Sequence, residues 1–241
     1  MSDYQNVKVL LLQARDAGEP AGPHELKCFT ELTGIPSENI TLHDLLTGPP
    51  TIAGLSHYDA LMIGGSGNYY VSRGNMPHGD EFEDFLRQIV AINFPTFASC
   101  FGFQYLAHAL EGEVIHDPEN AEVGTYEVNL TPYGESDELF GQLPLSFMAQ
   151  LGHKDRVFKL PEHAQNLASS QRSPFQAFRV EGKPIWAAQF HPELSDRTNL
   201  ERAMMYQNSY SLDTMAEFLE GIKPTPEANS LLRKFMGIVF D

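Results

Sequence analysis

Apolar residues fall along the first half of the chain in two alternating patterns, short continuous runs and stretches with helical spacing. Largely apolar runs are typical of strands buried on both faces of a parallel sheet, and apolar positions three and four apart predict helices. The predicted strands are 7–12, 40–45, 58–63 and 94–99, and the predicted helices are 23–33, 79–92 and 101–110. This alternation predicts an α/β fold with a doubly wound, mostly parallel sheet flanked by helices.

The second half of the chain changes to short strands and then to a helical tail. Strands are predicted at 114–117, 124–131, 146–150, 167–170, 175–180 and 184–190, and helical spacing at 197–222 and 225–239. We therefore predict a single domain over 1–241, with a core of about 7–194 and a helical C-terminal extension of about 195–241.

Cys100 stands where the predicted strand 94–99 meets the predicted helix 101–110. The small residues Ala98 and Gly102 on either side allow a sharp bend and close packing. The N-terminus of the following helix favours a thiolate over a thiol. The position predicts an exposed, reactive nucleophile, although a buried cysteine without a chemical role is the alternative for Cys100 taken alone.

His191 and Glu193 lie far downstream in the run Phe190-His-Pro-Glu193. An imidazole can remove the thiol proton, and a carboxylate two residues away can hold the imidazole in one orientation. We predict a catalytic triad of Cys100, His191 and Glu193. The other cysteine, Cys28, has no such neighbours and is predicted to lie in the core.

These residues resemble the motifs of class I glutamine amidotransferases over residues 7–194. Ala98-Ser-Cys-Phe-Gly-Phe-Gln104 is similar to the family pattern Gly-x-Cys-x-Gly-x-Gln, and His191-Pro-Glu193 is similar to its His-Pro-Glu. Gly64-Gly-Ser-Gly67, after the strand 58–63, resembles the family's oxyanion loop. The resemblance implies this family's α/β fold and assigns Cys100 as nucleophile, His191 as base and Glu193 as its orienting carboxylate.

The resemblance also implies the contacts that the substrate makes. Gly65 and Phe101 are the expected backbone donors of the oxyanion hole, Gln104 a substrate-binding residue, and His153, in a segment similar to the family's His-Gly-Asp, a second one. Phe103 stands where family members commonly carry His, which predicts a changed wall of the substrate pocket.

The expected reaction is hydrolysis of the γ-glutamyl amide of glutamine through a γ-glutamyl thioester, without a metal or organic cofactor. The ammonia would pass to a separate acceptor or synthetase protein. Two alternatives stay open: a γ-glutamyl peptidase that acts on glutathione-like conjugates, and a catalytically silent binding protein. Self-association into a homo-oligomer is also left open.

Composition narrows the classes of partner. Sixteen basic against 32 acidic residues give a net charge of −16, which disfavours nucleic acid and anionic membranes as partners. No run approaches the roughly 18 apolar residues of a membrane span. Two cysteines exclude a disulfide framework, so a cytoplasmic protein is expected.

Overall fold

The computed structural model of the chain describes residues 4–207 and 212–240. Its strands are β1 (Val9–Ala14), β2 (Ile40–Asp44), β3 (Ala60–Ser66), β4 (Thr96–Ser99), β5 (Glu113–His116), β6 (Glu122–Leu130), β7 (Ser146–His153), β8 (Asp155–Lys159), β9 (Ala164–Ser169), β10 (Ala177–Val180) and β11 (Ile185–Ala188). Its helices are α1 (Ala21–Thr33), α2 (Gly79–Ala91), α3 (Phe101–Ala109), α4 (Pro132–Ser136), α5 (Asp196–Met205), α6 (Leu212–Gly221), α7 (Pro226–Asn229) and α8 (Leu231–Phe240).

Nine strands form one sheet in the order β2-β1-β3-β4-β11-β10-β9-β6-β7, and β5 pairs with β8 in a small second sheet. The five strands from β2 to β11 are parallel. The remaining strands, from β10 to β7, pair antiparallel. The predicted doubly wound α/β fold with flanking helices and C-terminal helices is confirmed, and its second half continues the parallel sheet as an antiparallel extension.

The sheet separates two hydrophobic cores, because successive side chains of a strand point to opposite faces. In β1, Val9 and Leu11 lie in one core, and Leu10 and Leu12 lie in the other. The second core holds the buried stripe of α2, which the sequence predicted as Phe82, Phe85, Leu86 and Ile89. The carboxyl ends of β3 and β4 therefore meet at one edge between two packed layers.

The last helix completes the first core. Phe235 of α8 is fully buried, and its ring lies 5.8 Å from that of Phe97 and 5.9 Å from that of Trp186. The tail after residue 225 thus covers one face of the parent sheet. None of the helices within residues 4–207 and 212–240 combines the length and apolar content needed to span a bilayer.

Three local expectations differ from the structure. Gly64 and Gly65 belong to β3 rather than to a loop after it, since the strand continues to Ser66, which pairs with Ala14 of β1. Strand β8 was not predicted, because its polar residues give it little apolar signal. The predicted helix 197–222 is represented by α5 and α6, and its middle, 208–211, lies outside the described residues.

Candidate active site

Cys100 occupies the junction between β4 and α3 that the sequence predicted. It is the N-cap residue of α3, with φ 52° and ψ −101°, a conformation that costs a non-glycine residue on the order of 1–3 kcal/mol. Its own N–H donates to the carbonyl of Ala188 at 2.8 Å, which ties the turn to the end of β11. The side chain is partly exposed. The strained turn therefore presents the sulfur at the sheet edge, beside the N-terminus of α3.

Gly102 is required by the close packing of α3 on β3. A Cβ at this position would lie 2.7 Å from Cγ2 and 2.9 Å from the carbonyl oxygen of Ile63. Ala98 replaces the first glycine of the motif without crowding, since it is a buried residue of β4 that pairs with Ile63 and Ala187. The bend at Cys100 thus needs glycine on its helical side only.

His191 and Glu193 follow β11 at the same edge of the sheet. The Nδ1 of His191 lies 2.6 Å from Oε1 of Glu193, and Glu193 has no exposed surface. The N–H of His191 donates to the carbonyl of Gln150 at 2.9 Å, which fixes the backbone beside β7. Because Nδ1 faces the carboxylate, Nε2 is the ring nitrogen that remains available to a second partner.

The pKa values of His191 and Glu193 are both shifted by the neighbouring groups. Burial by itself lowers the pKa of His191, but the charges of Cys100 and Glu193, with hydrogen bonds to both, raise that pKa to about 10. Burial raises the pKa of Glu193, and the neighbouring His191 outweighs this effect and lowers it. The arrangement favours an imidazolium at His191 paired with a carboxylate at Glu193, beside the sulfur of Cys100.

Gln104 lies in the wall of the pocket, one turn into α3. Its Nε2 donates to the carbonyl of Asp155 at 2.8 Å and to Oε1 of Gln189 at 3.1 Å. The Nε2 of Gln189 lies 3.8 Å from the Cys100 sulfur. Sequence reasoning gave Gln189 no role, although its spacing of two from His191 could have placed both side chains on one face of an extended segment.

His153 lines the same pocket but is almost fully buried, and both of its ring nitrogens have partners. Nδ1 lies 3.0 Å from the carbonyl oxygen of Asp155, and Nε2 lies 3.0 Å from Oε2 of Glu122. Glu122 also accepts from Gln176 and Ser170. The substrate contact expected of His153 stays a prediction, and in this structure its ring nitrogens hold the pocket wall together.

The two expected oxyanion donors, the N–H groups of Phe101 and Gly65, differ in their hydrogen bonding. Phe101 is the first residue of α3, so its N–H has no partner within the helix. Gly65 lines the pocket, and a Cβ there would lie 3.6 Å from Cε1 of His191. Its N–H, however, donates to Oε1 of Glu25 at 2.9 Å. Sequence reasoning missed Glu25, whose position on α1 carries no sign of this long-range contact.

Two further expectations concern Phe103 and Cys28. Phe103 does not change the pocket wall as expected, because it is fully buried and packs on Phe178 with ring centroids 5.2 Å apart. Cys28 has no exposed surface, and burial raises its pKa to about 12. Cys28 is therefore a core residue, as predicted.

The pocket around Cys100 encloses about 160 Å³ and has three sides. Gly65 to Tyr70 form one side, Leu151 to Asp155 form another, and the C-terminal extension forms the third. The residues that α5, α6 and the turn after α5 contribute are Asn199, Arg202, Ala203, Tyr206 and Phe218. The extension therefore takes part in the walls of the site.

Comparison with known families matches residues 39–209 to the model described as "Glutamine amidotransferase class-I". Curated relatives include a glutamine-hydrolyzing GMP synthase of Flavobacterium psychrophilum, 34% identical over 145 residues, or 60% of this chain and 26% of that protein. A GMP synthase of Thermosipho melanesiensis is 36% identical over 107 residues, or 44% of this chain and 20% of that protein. The chain thus corresponds to about a quarter or less of these relatives.

Solved structures share the fold across almost the whole chain. A glutamine amidotransferase from Thermotoga maritima superposes with a TM-score of 0.76 at 19% identity, covering 97% of this chain and 99% of its own. A glutamine amidotransferase from Methylobacillus flagellatus gives a TM-score of 0.71 at 18% identity, with coverage of 95% and 94%. At these identities the likeness concerns the fold.

Proposed function

This chain belongs to the class-I glutamine amidotransferase family, and we propose that it hydrolyses the γ-glutamyl amide of glutamine through a thioester on Cys100. Membership of the family makes the protein an amidotransferase-type enzyme. One observation carries the proposal: the strained Cys100 turn and the His191–Glu193 pair meet at one pocket, with the pKa of His191 raised to about 10 by the charges on both partners.

In the first half of the proposed reaction, the Cys100 thiolate attacks the side-chain carbonyl carbon. The carbonyl electron pair moves to oxygen, where the N–H groups of Phe101 and Gly65 are the proposed donors. When the tetrahedral intermediate collapses, the carbon–nitrogen bond breaks and the His191 imidazolium gives its proton to the departing ammonia. A γ-glutamyl thioester and a neutral imidazole remain.

In the second half, water attacks the thioester. His191 removes a proton from the water as the carbon–oxygen bond forms, and collapse of the second tetrahedral intermediate releases glutamate and the thiolate. Glu193 keeps the imidazole in one tautomer throughout. Gln104 is proposed to contact the substrate with its Oε1, since its Nε2 is already hydrogen-bonded to Asp155 and Gln189.

A second candidate is a γ-glutamyl peptidase, which would release a larger amine from a glutathione-like conjugate. The observation that favours it is the third side of the pocket, where Arg202, Tyr206 and Phe218 extend the wall beyond the catalytic residues. A leaving group larger than ammonia would meet these side chains. The pocket volume of about 160 Å³ suits a substrate of the size of glutamine, and a larger leaving group would lie partly outside it.

A separate synthetase protein is the partner proposed for the glutaminase reaction. The curated relatives are named as GMP synthases that hydrolyse glutamine, and this chain corresponds to about 26% of the first of them. Ammonia released at Cys100 would then be consumed by a second polypeptide. Self-association is a separate proposal, which light scattering can test.

Substrate profiling tests the proposal and separates the candidates. The purified protein is incubated with L-glutamine and with a series of γ-glutamyl peptides, and glutamate, ammonia and amine are measured. Turnover of glutamine with equal amounts of glutamate and ammonia supports the glutaminase reaction. Turnover of γ-glutamyl peptides alone supports the peptidase. The absence of both, with Cys100 intact by mass spectrometry, would contradict both enzymatic proposals.

A further inference from the structure

The backbone donor expected at the oxyanion is already hydrogen-bonded to a buried carboxylate. Gly65 lies in the pocket wall next to His191, and its N–H donates to Oε1 of Glu25 at 2.9 Å. Glu25 belongs to α1, has no exposed surface and does not line the pocket. The N–H of Gly65 therefore points away from the reacting carbonyl and into the protein.

The carboxylate of Glu25 lies directly against the backbone at Gly64. A Cβ on Gly64 would be 2.7 Å from the carboxyl carbon and 2.9 Å from both carboxyl oxygens of Glu25. The second oxygen, Oε2, is buried and has no hydrogen-bond partner in the part of the chain that the structure describes. Among the described residues, the carboxylate of Glu25 thus accepts hydrogen bonds at Oε1, from the N–H of Gly65 and from Arg15.

Two arginines compensate the negative charge of Glu25, whether or not the Gly65 N–H is bound to it. The Nη2 of Arg15 lies 3.1 Å from Oε1, and the Nη1 of Arg202 lies 3.7 Å from it. A buried carboxylate that keeps two cationic neighbours remains compensated if one N–H leaves it. Loss of the Gly65 hydrogen bond would not leave an isolated buried charge.

Glycine on both sides leaves the backbone free to rotate the peptide between Gly64 and Gly65. Neither glycine now has a positive φ. A rotation of this peptide changes ψ of Gly64 and φ of Gly65, and glycine accepts conformations on both sides of φ 0°. Rotation would release the N–H from Glu25 and turn it toward the pocket, where an oxyanion would accept it.

We propose that Glu25 is a positioning residue that holds the Gly64–Gly65 peptide with its N–H turned away from the oxyanion, so that formation of the thioester requires this peptide to rotate. The inference rests on the proposed reaction at Cys100. Glu25 acts through Gly65 and does not touch the substrate. The more strongly Glu25 accepts the hydrogen bond from Gly65, the less readily the Gly65 N–H becomes available as the second oxyanion donor.

The test combines two rate measurements on each variant. The first is kcat/KM for L-glutamine, or for whichever γ-glutamyl amide the wild type turns over, because this rate needs the oxyanion donors. The second is alkylation of Cys100 by iodoacetamide, which displaces iodide and forms no oxyanion. A wild type without turnover would contradict the proposed function, whereas variants that behave as the wild type would contradict this inference alone.

In Glu25→Gln, a neutral amide oxygen replaces the carboxylate as acceptor and holds the Gly65 N–H less strongly. We expect kcat/KM to rise about 3- to 10-fold with an unchanged alkylation rate. Glu19→Gln is the matched control, since Glu19 also pairs with Arg15, at 3.2 Å, without binding Gly65. Its kcat/KM should stay within about twofold of the wild type. A fall in kcat/KM for Glu25→Gln, or an equal rise in both variants, would overturn the proposal.

Gly65→Ala tests the rotation itself and does not alter Glu25. In the present orientation the added Cβ would lie 3.1 Å from Arg15 Nη2 and 3.4 Å from Glu25 Oε1, so these side chains need to shift only slightly. Because alanine rarely adopts a positive φ, kcat/KM should fall at least about tenfold while alkylation continues. Unchanged kcat/KM in a folded Gly65→Ala protein would overturn the proposal.

A spectroscopic measurement on the wild type keeps the proposal testable if Glu25→Gln fails to fold. The amide proton of Gly65 is followed by NMR in the free protein and after Cys100 reacts with a diazoketone analogue of glutamine. We expect a strongly downfield resonance in the free protein, typical of an N–H bound to a carboxylate, which moves upfield in the adduct. A resonance that keeps its position and its protection from exchange in the adduct would overturn the proposal.

Discussion

The Nδ1 of His191 lies 2.6 Å from Oε1 of Glu193, a residue only two positions further along the chain. The short connection between them is held from outside, since the side-chain amide of Asn229 in α7 donates to the carbonyls of Pro192 at 2.9 Å and Leu194 at 2.8 Å. The C-terminal tail thus fixes the segment that carries His191 and Glu193, and it does so from a helix that follows the pair by more than thirty residues.

Covalent chemistry is expected at Cys100 alone. A diazoketone analogue of glutamine should add once per chain, and Cys100→Ala should remove both labelling and turnover because the other cysteine is neither accessible nor activated. Mass spectrometry of digested protein locates the adduct. Cys28→Ala is the control and should label as the wild type does, since Cys28 is fully buried. An adduct on Cys28 would contradict the assignment of the nucleophile.

Substitutions of His191 and Glu193 should lower kcat to different extents. His191→Ala should lower kcat by about 10⁴-fold, because the acid and the base are lost together. Glu193→Gln should retain at least about tenfold more activity than His191→Ala, since the imidazole and the nucleophile remain. Steady-state kinetics on one γ-glutamyl amide measure both. A more severe loss in Glu193→Gln than in His191→Ala would show that the roles are assigned wrongly.

The raised pKa of His191 predicts an alkaline limit to catalysis. Below about pH 10 the imidazole stays protonated and can donate to the departing ammonia, whereas above it the acid is gone. We therefore expect kcat/KM to fall as the pH rises through about 10. Alkylation of Cys100 by iodoacetamide needs no acid and should not fall over the same range. If the two profiles fell together, unfolding of the protein at alkaline pH would be the better explanation.

Gly102→Ala should destabilise the protein and disturb the nucleophile. The added Cβ would lie 2.7 Å from Cγ2 of Ile63, so α3 must move off β3, at a cost of about 1–3 kcal/mol in the free energy of unfolding. Chemical denaturation measures the loss, and the rate of Cys100 alkylation reports the displaced turn. Gly221→Ala in α6 is the control, because nothing lies within 4 Å of its Cβ position. Equal stability of the two variants would contradict the close contact.

Phe218 should influence which amides the enzyme accepts. It is buried, lines the pocket from α6 and lies against Gly124, where an added Cβ would be 3.6 Å from its ring. Phe218→Ala should change the ratio of kcat/KM between glutamine and a γ-glutamyl peptide by about 3- to 10-fold, because the outer wall of the pocket is opened. Leu219→Ala, on the exposed side of the same helix, should leave the ratio unchanged. A ratio unaffected by Phe218→Ala would limit α6 to a packing role.

Features that depend on neighbouring residues could be predicted from the sequence. The strand, strained turn and helix around Cys100 follow from local apolar runs, small residues and the helix dipole, and the structure places them as expected. The same holds for His191 and Glu193, whose spacing of two already brings them within reach. The buried stripe of α2 follows from helical periodicity alone.

Other features depend on residues that are distant in sequence. Strand β8 gave no signal because its sequence, Asp-Arg-Val-Phe-Lys, holds only two apolar residues, and its pairing with β5 joins segments that are distant in sequence. Phe103 was expected in the pocket wall, but the direction of α3 relative to β10 places its ring on Phe178. A helical pattern defines a buried face and does not say which element packs against it.

Short runs of residues were sufficient to indicate the family and to predict the triad of Cys100, His191 and Glu193, because each run carries its motif within a few neighbouring positions. The contact between Glu25 and the N–H of Gly65, forty positions away, and the place of α5 and α6 in the pocket wall depend on the folded chain. A glutamate within a helix pattern is ordinarily a solvated charge. Glu25 can be buried because Arg15 and Arg202, which are distant from each other in sequence, compensate its charge. These ion pairs form only when the chain folds, so the sequence pattern around Glu25 does not predict them.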